Sequence, residues 1–131
     1  MPIDNTPAER YDAGLQVRRE VVGEEYVERA LAAATDFSRP LQDLVTEYCW
    51  GAVWTRDGLD RRTRSMLTLA MLTALNRSTE FATHVRAALT NGVTPDEIRE
   101  VLLHATVYAG VPAGVEAFRI AGPILAENAE Q

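Results

Sequence analysis

Residues 65–75 read SMLTLAMLTAL, a stretch that would be apolar on nearly every side of a helix. An amphipathic helix can lie on a surface, but one that is apolar all round has to be covered on several sides, by other helices or by a second copy of the chain. The flanking sequence is suited to that. Apolar residues recur at helical spacing between short Gly, Pro and Asp turns, and no segment of strand period is long enough to count. The expected fold class is all-α, a compact multi-helix bundle that oligomerises through this central helix, with one domain over residues 1–131.

Local signals divide the chain into helices. Thr6-Pro7-Ala8-Glu9 has the form of a capping box with Pro at the first helical position, and opens a helix to about Gly23 whose apolar side is marked by Tyr11, Leu15 and Val22. A short helix carries Tyr26, Val27, Ala30, Leu31 and Ala34. In a third, Leu41, Leu44, Val45, Tyr48, Cys49 and Ala52 fall on one predicted buried stripe, with Trp50 and Trp54 near its end. Asp60 is the expected N-cap of the central helix. After Asn76-Arg77-Ser78, Phe81, Val85, Ala88 and Leu89 form the next stripe, closed at Asn91-Gly92. Thr94-Pro95-Asp96-Glu97 is the clearest start signal, opening a helix with Ile98, Val101, Leu102, Ala105 and Ala109 at core spacing that stops near Gly110. A last helix with Phe118, Ala121 and Leu125 is expected to kink or end at Gly122-Pro123, and the tail after Ala126 to fray.

Composition excludes several chemistries. All thirteen basic residues are Arg and none is Lys, so a lysine Schiff base, including a pyridoxal phosphate lysine, is ruled out. Cys49 is the only cysteine, which removes an internal disulfide, a Cys-x-x-Cys redox pair and a thiolate metal cage. A net charge of -6 argues against a nucleic-acid or anionic-membrane partner. The N-terminal MPIDNTPAERYD lacks the basic start and apolar stretch of a signal peptide, and no run of about 18 apolar residues occurs, so a cytoplasmic location is expected. A chain of 131 residues buries roughly two-thirds of its unfolded surface, leaving little material for both a core and a deep pocket, so a homo-oligomer is expected.

The residues with most chemical promise are Glu80 and His84, four apart and therefore neighbours on one helical face, at the border of the Phe81/Val85/Ala88 stripe. A carboxylate beside an imidazole orients the ring and raises its pKa, which suits a general acid; an ordinary surface pair is the plain alternative. His104 is expected to be a partly buried histidine with a structural partner. The two histidines have no metal-ligand spacing, and no metal is expected. Arg56, Arg61, Arg62, Arg64 and Arg77 cluster around the central helix, where cations near its start oppose the helix dipole. They can clamp a substrate carboxylate or pair with Asp and Glu across a subunit interface. Trp50, Trp54, Tyr48 and Tyr108 are first of all core or interface aromatics, with pocket lining secondary, and Cys49 is a small hydrophobe on its buried stripe.

Four segments in this order and spacing, Trp50-Gly51 through Trp54-Thr55-Arg56 to Arg64-Ser65, Glu80-Phe81 with His84-Val85-Arg86, Asn91-Gly92-Val93-Thr94, and Tyr108 to Ala113, resemble the carboxymuconolactone decarboxylase family over nearly the whole chain. The resemblance implies an all-helical subunit of the alkylhydroperoxidase D-like type, assembled as trimers or hexamers. It also implies cofactor-free decarboxylation of a small anionic lactone in the protocatechuate branch of the β-ketoadipate pathway. In that setting His84 and Glu80 are the expected catalytic residues, and Arg64, Arg62, Trp50, Trp54 and Tyr108 the expected substrate-binding ones. The thiol peroxidases of the family carry Cys-x-x-Cys-x-x-x-His; here Arg77 and Glu80 stand at the two thiol positions and only His84 matches. Gly122-Pro123 departs from the unbroken last helix the family implies. Activity on another carboxylated or peroxidic small molecule, or a non-catalytic helical oligomer, remain the alternatives.

Overall fold

The computed structural model describes residues 5–129, and among them every regular element is helical. They are α1 (Pro7–Val22), α2 (Glu24–Ala32), α3 (Arg39–Leu44), a π-helix (Val45–Val53), α4 (Arg61–Ala74), α5 (Ser78–Thr90), α6 (Pro95–Ala109) and α7 (Val111–Ala129). The chain forms two compact units, with the boundary after Arg61. No described helix is long and apolar enough to cross a membrane.

In the first unit α1 packs against the π-helix. Thr6 caps α1, its hydroxyl accepting the Glu9 amide at 3.1 Å. The residues α1 buries are Gly14, Val17, Arg18 and Val21, rather than the predicted Tyr11/Leu15/Val22 side. The contact is made backbone to backbone: a Cβ on Gly14 would stand 2.0 Å from the Thr46 carbonyl oxygen, and one on Gly51 2.1 Å from that of Arg10. Only glycine fits either place.

The third predicted helix is corrected here. Its second half is π-helical, with bonds that reach five residues back, as where the Trp54 amide donates to the Cys49 carbonyl at 3.1 Å. Such wider winding is rare and often lies at functional sites. It turns Thr46, Trp50, Gly51 and Ala52 inward and leaves most of the expected stripe outside: Leu41, Leu44, Tyr48 and Cys49 are all exposed, Tyr48 by 65%. The inward residues suit what α1 offers. The Arg18 guanidinium, 6% exposed, donates through Nη1 to the Thr46 hydroxyl at 3.1 Å, a contact that Leu44 or Tyr48 in that place could not supply in the same way.

The second unit has one hydrophobic core, made by Leu69 of α4, Phe81, Val85 and Ala88 of α5, Val93, Ile98 and Leu102, and Ala117, Ala121 and Ile124 of α7. Each large member of this set contributes about 1.5–3 kcal/mol by leaving water. Along α4, Ser65, Leu69 and Thr73 face inward at every fourth residue. The central helix is thus covered on one side only, and Leu67, Met71 and Leu75 form an exposed stripe, Met71 by 59%. The predicted capping box of α6 is present, with Thr94 Oγ1 accepting the Glu97 amide at 3.1 Å and Glu97 Oε1 the Thr94 amide at 3.0 Å. Gly92 (φ 89°) and Gly110 (φ 109°) follow α5 and α6 at backbone angles that residues with a Cβ avoid.

The expected break at Gly122-Pro123 does not occur, because α7 runs through Pro123 to Ala129. A helical residue before proline normally clashes through its Cβ with the ring, and Gly122 has none. The fraying expected of the tail concerns in part residues 130 and 131, which lie outside the described residues, as does the segment 1–4 at the start.

Candidate active site

α5 positions the catalytic candidates. Its core stripe, Phe81, Val85 and Ala88, fixes the rotation of the helix. His84 is thereby left half-buried at the stripe's edge, and Glu80 exposed one turn earlier on the same face. The predicted rise in the imidazole pKa is corrected: burial pushes His84 below the ordinary histidine value, and the upward pull of the Glu80 charge is the smaller effect. The physical reason is that Glu80 lies in water, where its charge is screened, whereas the ring has lost much of its own hydration. At neutral pH the imidazole of the unliganded protein is therefore mainly neutral.

The arginines at the start of α4 divide by partner. Arg61 donates to Glu20 at 2.8 Å within the first unit, and Arg62 is ion-paired with Glu97 of α6 within the second. These carboxylates offset the unfavourable placement of cations at a helix N-terminus. Arg64 is half-buried, with its backbone carbonyl accepting the Thr68 hydroxyl at 2.8 Å. Next to it, the fully buried Ser65 hydroxyl accepts the Asn91 amide at 2.8 Å, which ties the start of α4 to the end of α5. That link was not anticipated; a serine at an inward position of a largely apolar helix was its sequence signal.

Tyr108 is 80% exposed and stacks on His104 with ring centroids 4.9 Å apart. His104 is itself exposed, not partly buried as expected. Trp50 and Trp54 belong to the first unit, both buried, with centroids 4.8 Å apart. Trp54 also lines an open groove of about 590 Å³ together with Gln16, Glu20, Arg56 and Arg61. Its charges are mixed, with the Arg61–Glu20 pair inside it.

Cys49 is exposed, yet the protein around it pushes its thiol above the ordinary cysteine value, with nearby Arg18 opposing only in part. A thiol held protonated is a poor nucleophile. Arg18 was missed by the sequence reading. Its signal was the spacing of Gly14, Val17, Arg18 and Val21, which puts a guanidinium at a core position. Among the described residues no three of His, Cys, Asp and Glu come together as a metal site.

Known proteins agree with the resemblance carried by these residues. The profile of the carboxymuconolactone decarboxylase family matches residues 39–122. The chain is 52% identical over 107 residues to nitrosuccinic acid decarboxylase of Metarhizium robertsii, covering 82% of this chain and 75% of that protein. It is 47% identical over 113 residues to 4-carboxymuconolactone decarboxylase of Acinetobacter baylyi, covering 86% and 84%. A 43-residue stretch is 44% identical to 4-carboxymuconolactone decarboxylase of Pseudomonas putida, covering 33% of this chain and 90% of that one.

Proposed function

The chain belongs to the carboxymuconolactone decarboxylase family, and on that premise we propose that it is a carboxy-lyase that converts 4-carboxymuconolactone to the 4-oxoadipate enol-lactone without a cofactor. The observation that carries the reading is the similarity to the Acinetobacter baylyi enzyme over most of both chains. The Glu80–His84 pair on one face of α5 gives that reaction a proton donor.

The chemistry asks little of the protein beyond placement and a proton. The departing carboxylate stands on a ring carbon allylic to a C=C conjugated with the lactone carbonyl. When its C–C bond breaks, the electron pair passes through the ring to the carbonyl oxygen and CO2 leaves. The resulting dienolate takes a proton at the carbon α to the carbonyl. A chain without lysine has no imine to offer as electron sink, and this substrate needs none. Arg64, with Arg62, is assigned to the substrate carboxylates, since guanidinium forks match carboxylates bidentately. Tyr108 is assigned to the apolar wall, and Trp50 and Trp54, which belong to the first unit, are each assigned to substrate binding.

His84 is assigned the proton. Its neutral resting state fits this role once the substrate is considered: a dianion beside the ring favours imidazolium, as Glu80 already does, so the acid forms when the substrate is in place. Incubation of the purified protein with 4-carboxymuconolactone, followed for CO2 and enol-lactone, tests the reading. CO2 release no faster than in a protein-free blank overturns it.

The same reading includes one family domain across the chain, a cytoplasmic location, no nucleic-acid or membrane partner, and a homotrimer or homohexamer. The exposed stripe Leu67, Met71 and Leu75 supports the last. A monomer by light scattering at micromolar concentration refutes it. A second reading, favoured by the 52% identity to nitrosuccinic acid decarboxylase, keeps the decarboxylation and takes nitrosuccinic acid as substrate.

A further inference from the structure

We infer that the site recognises a substrate class, the succinates that carry a neutral electron sink on the carbon losing CO2, and that this one chain turns over both 2-nitrosuccinate and 4-carboxymuconolactone; the inference rests on the decarboxylase reading above. The two compounds look unlike, an open-chain nitro acid and an unsaturated lactone, yet relatives named for them are 52% and 47% identical to this chain over most of its length. They share a skeleton. In each, a single carbon bears both the departing carboxylate and a carboxymethyl arm, which is a succinate. Another substituent on that carbon is the sink, the nitro group in one and the α,β-unsaturated ester in the other.

The chain's own residues point to the arm, not the sink, as the recognised part. With no lysine, the protein supplies no covalent sink, so the electron pair must end on a group the substrate brings. In nitrosuccinate the pair forms a C=N bond and leaves charge on the nitro oxygens, next to the reacting carbon; in the lactone it ends on an oxygen across the ring. One fixed oxyanion donor cannot stand at both distances. The proton also lands differently, on the carbon that lost CO2 in the nitronate and α to the carbonyl in the dienolate. What stays constant is the succinate dianion, and the half-buried Arg64, in the same unit as His84, is a fixed charge suited to it. The balance is the same for both: dicarboxylate plus one proton gives CO2 and a monocarboxylate, with no oxidant or reductant.

The test uses the purified full-length protein with four compounds: 4-carboxymuconolactone, 2-nitrosuccinate, 2-nitropropanoate (sink without arm) and succinate (arm without sink). CO2 release is read above the protein-free rate. Both dicarboxylates are expected to be turned over, with kcat/KM for 2-nitrosuccinate about 10- to 100-fold above that for 2-nitropropanoate, the scale of one charge-assisted carboxylate contact. Succinate should compete with both substrates at a single inhibition constant. If the lactone is consumed but 2-nitrosuccinate is not, the class is overturned and the lactone reading stands. If 2-nitrosuccinate alone is consumed, the inference is overturned and the lactone reading falls with it, leaving the nitrosuccinate reading. Equal rates with 2-nitropropanoate, or no competition by succinate, show that the arm is not read and overturn the class. If both dicarboxylates are inert, the decarboxylase reading and the inference fail together.

Discussion

Replacing Gly14 with Ala adds one methyl group at the place where α1 lies directly on the π-helix. On an open helix surface the change would stabilise by about 1 kcal/mol, since alanine is the better helix former. Here the new Cβ would stand 2.0 Å from the Thr46 carbonyl oxygen, 2.6 Å from the Gly51 nitrogen and 2.9 Å from the Gly51 Cα, where ordinary contact begins at 3.4 Å. All three are backbone atoms, so no side chain can rotate away and the helices must part by more than about 1 Å at this point. Overpacking of this kind costs about 1–3 kcal/mol, and the lack of relief places Gly14 at the upper end. After the gain in propensity, the net loss is about 2 kcal/mol, which for a chain of this length is roughly 6–8 °C in Tm. Thermal and urea unfolding followed by circular dichroism measure it, with Gly58→Ala as control. Gly58 has nothing within 4 Å of a new Cβ and no positive φ, so its variant should stay within about 0.5 kcal/mol. A Gly14→Ala protein as stable as the wild type would refute the close approach.

Four further outcomes are expected. His84→Gln removes the titrating proton while keeping a hydrogen-bonding shape, so kcat should drop by about 10² to 10⁴ with little change in KM; near-normal kcat would reduce His84 to a wall residue. In Glu80→Gln the upward pull on the imidazole is lost, so the alkaline limb of the pH-rate profile should move to lower pH, and an unmoved limb contradicts the coupling. Because the folded-state pKa of His84 is depressed, the unfolded chain takes up the proton first as the pH falls. That contribution to stability is present above about pH 6.5 and lost on acidification through the folded pKa. Urea midpoints at pH 7.5 and 5 should differ less in His84→Gln than in the wild type, and equal differences would count against a buried neutral imidazole. Finally, the raised thiol of Cys49 should react with iodoacetamide at pH 7 more slowly than free cysteine despite its exposure, and Cys49→Ala should keep CO2 release within a few-fold; rapid labelling sinks the argument.

What the sequence made legible was whatever depends on neighbours along the chain. The Thr94–Glu97 capping box, the Phe81/Val85/Ala88 stripe, the Glu80–His84 adjacency and the family resemblance all rest on local spacing, and the fold and the family comparison agree with them. The misreadings were set by distant partners. Leu41, Leu44 and Tyr48 have helical spacing and still face out, because the wider winding turns Thr46 and Trp50 inward, with Thr46 against Gly14 and Arg18 of α1. The sign of the His84 shift was missed for a related reason: a carboxylate four residues away is visible in sequence, but the loss of water around the ring belongs to tertiary packing. At Gly122-Pro123 the pair reads as a break, whereas the missing Cβ of Gly122 lets the helix run on through the proline.

The π-helix also bears on how this gene can change length. Surface loops generally absorb insertions and deletions, whereas regular helices resist them because their faces rotate. In residues 45–53 the effect is sharper, since each backbone bond there spans one residue more than in an α-helix. Deleting a single codon there would leave a segment able to close as an ordinary α-helix. It would remain helical and well bonded, yet present a different side to α1, putting other groups in place of Thr46 before the Arg18 guanidinium and Gly51 before the Arg10 carbonyl. A frame-preserving loss that looks harmless in the reading of codons would thus leave a buried cation facing the wrong surface.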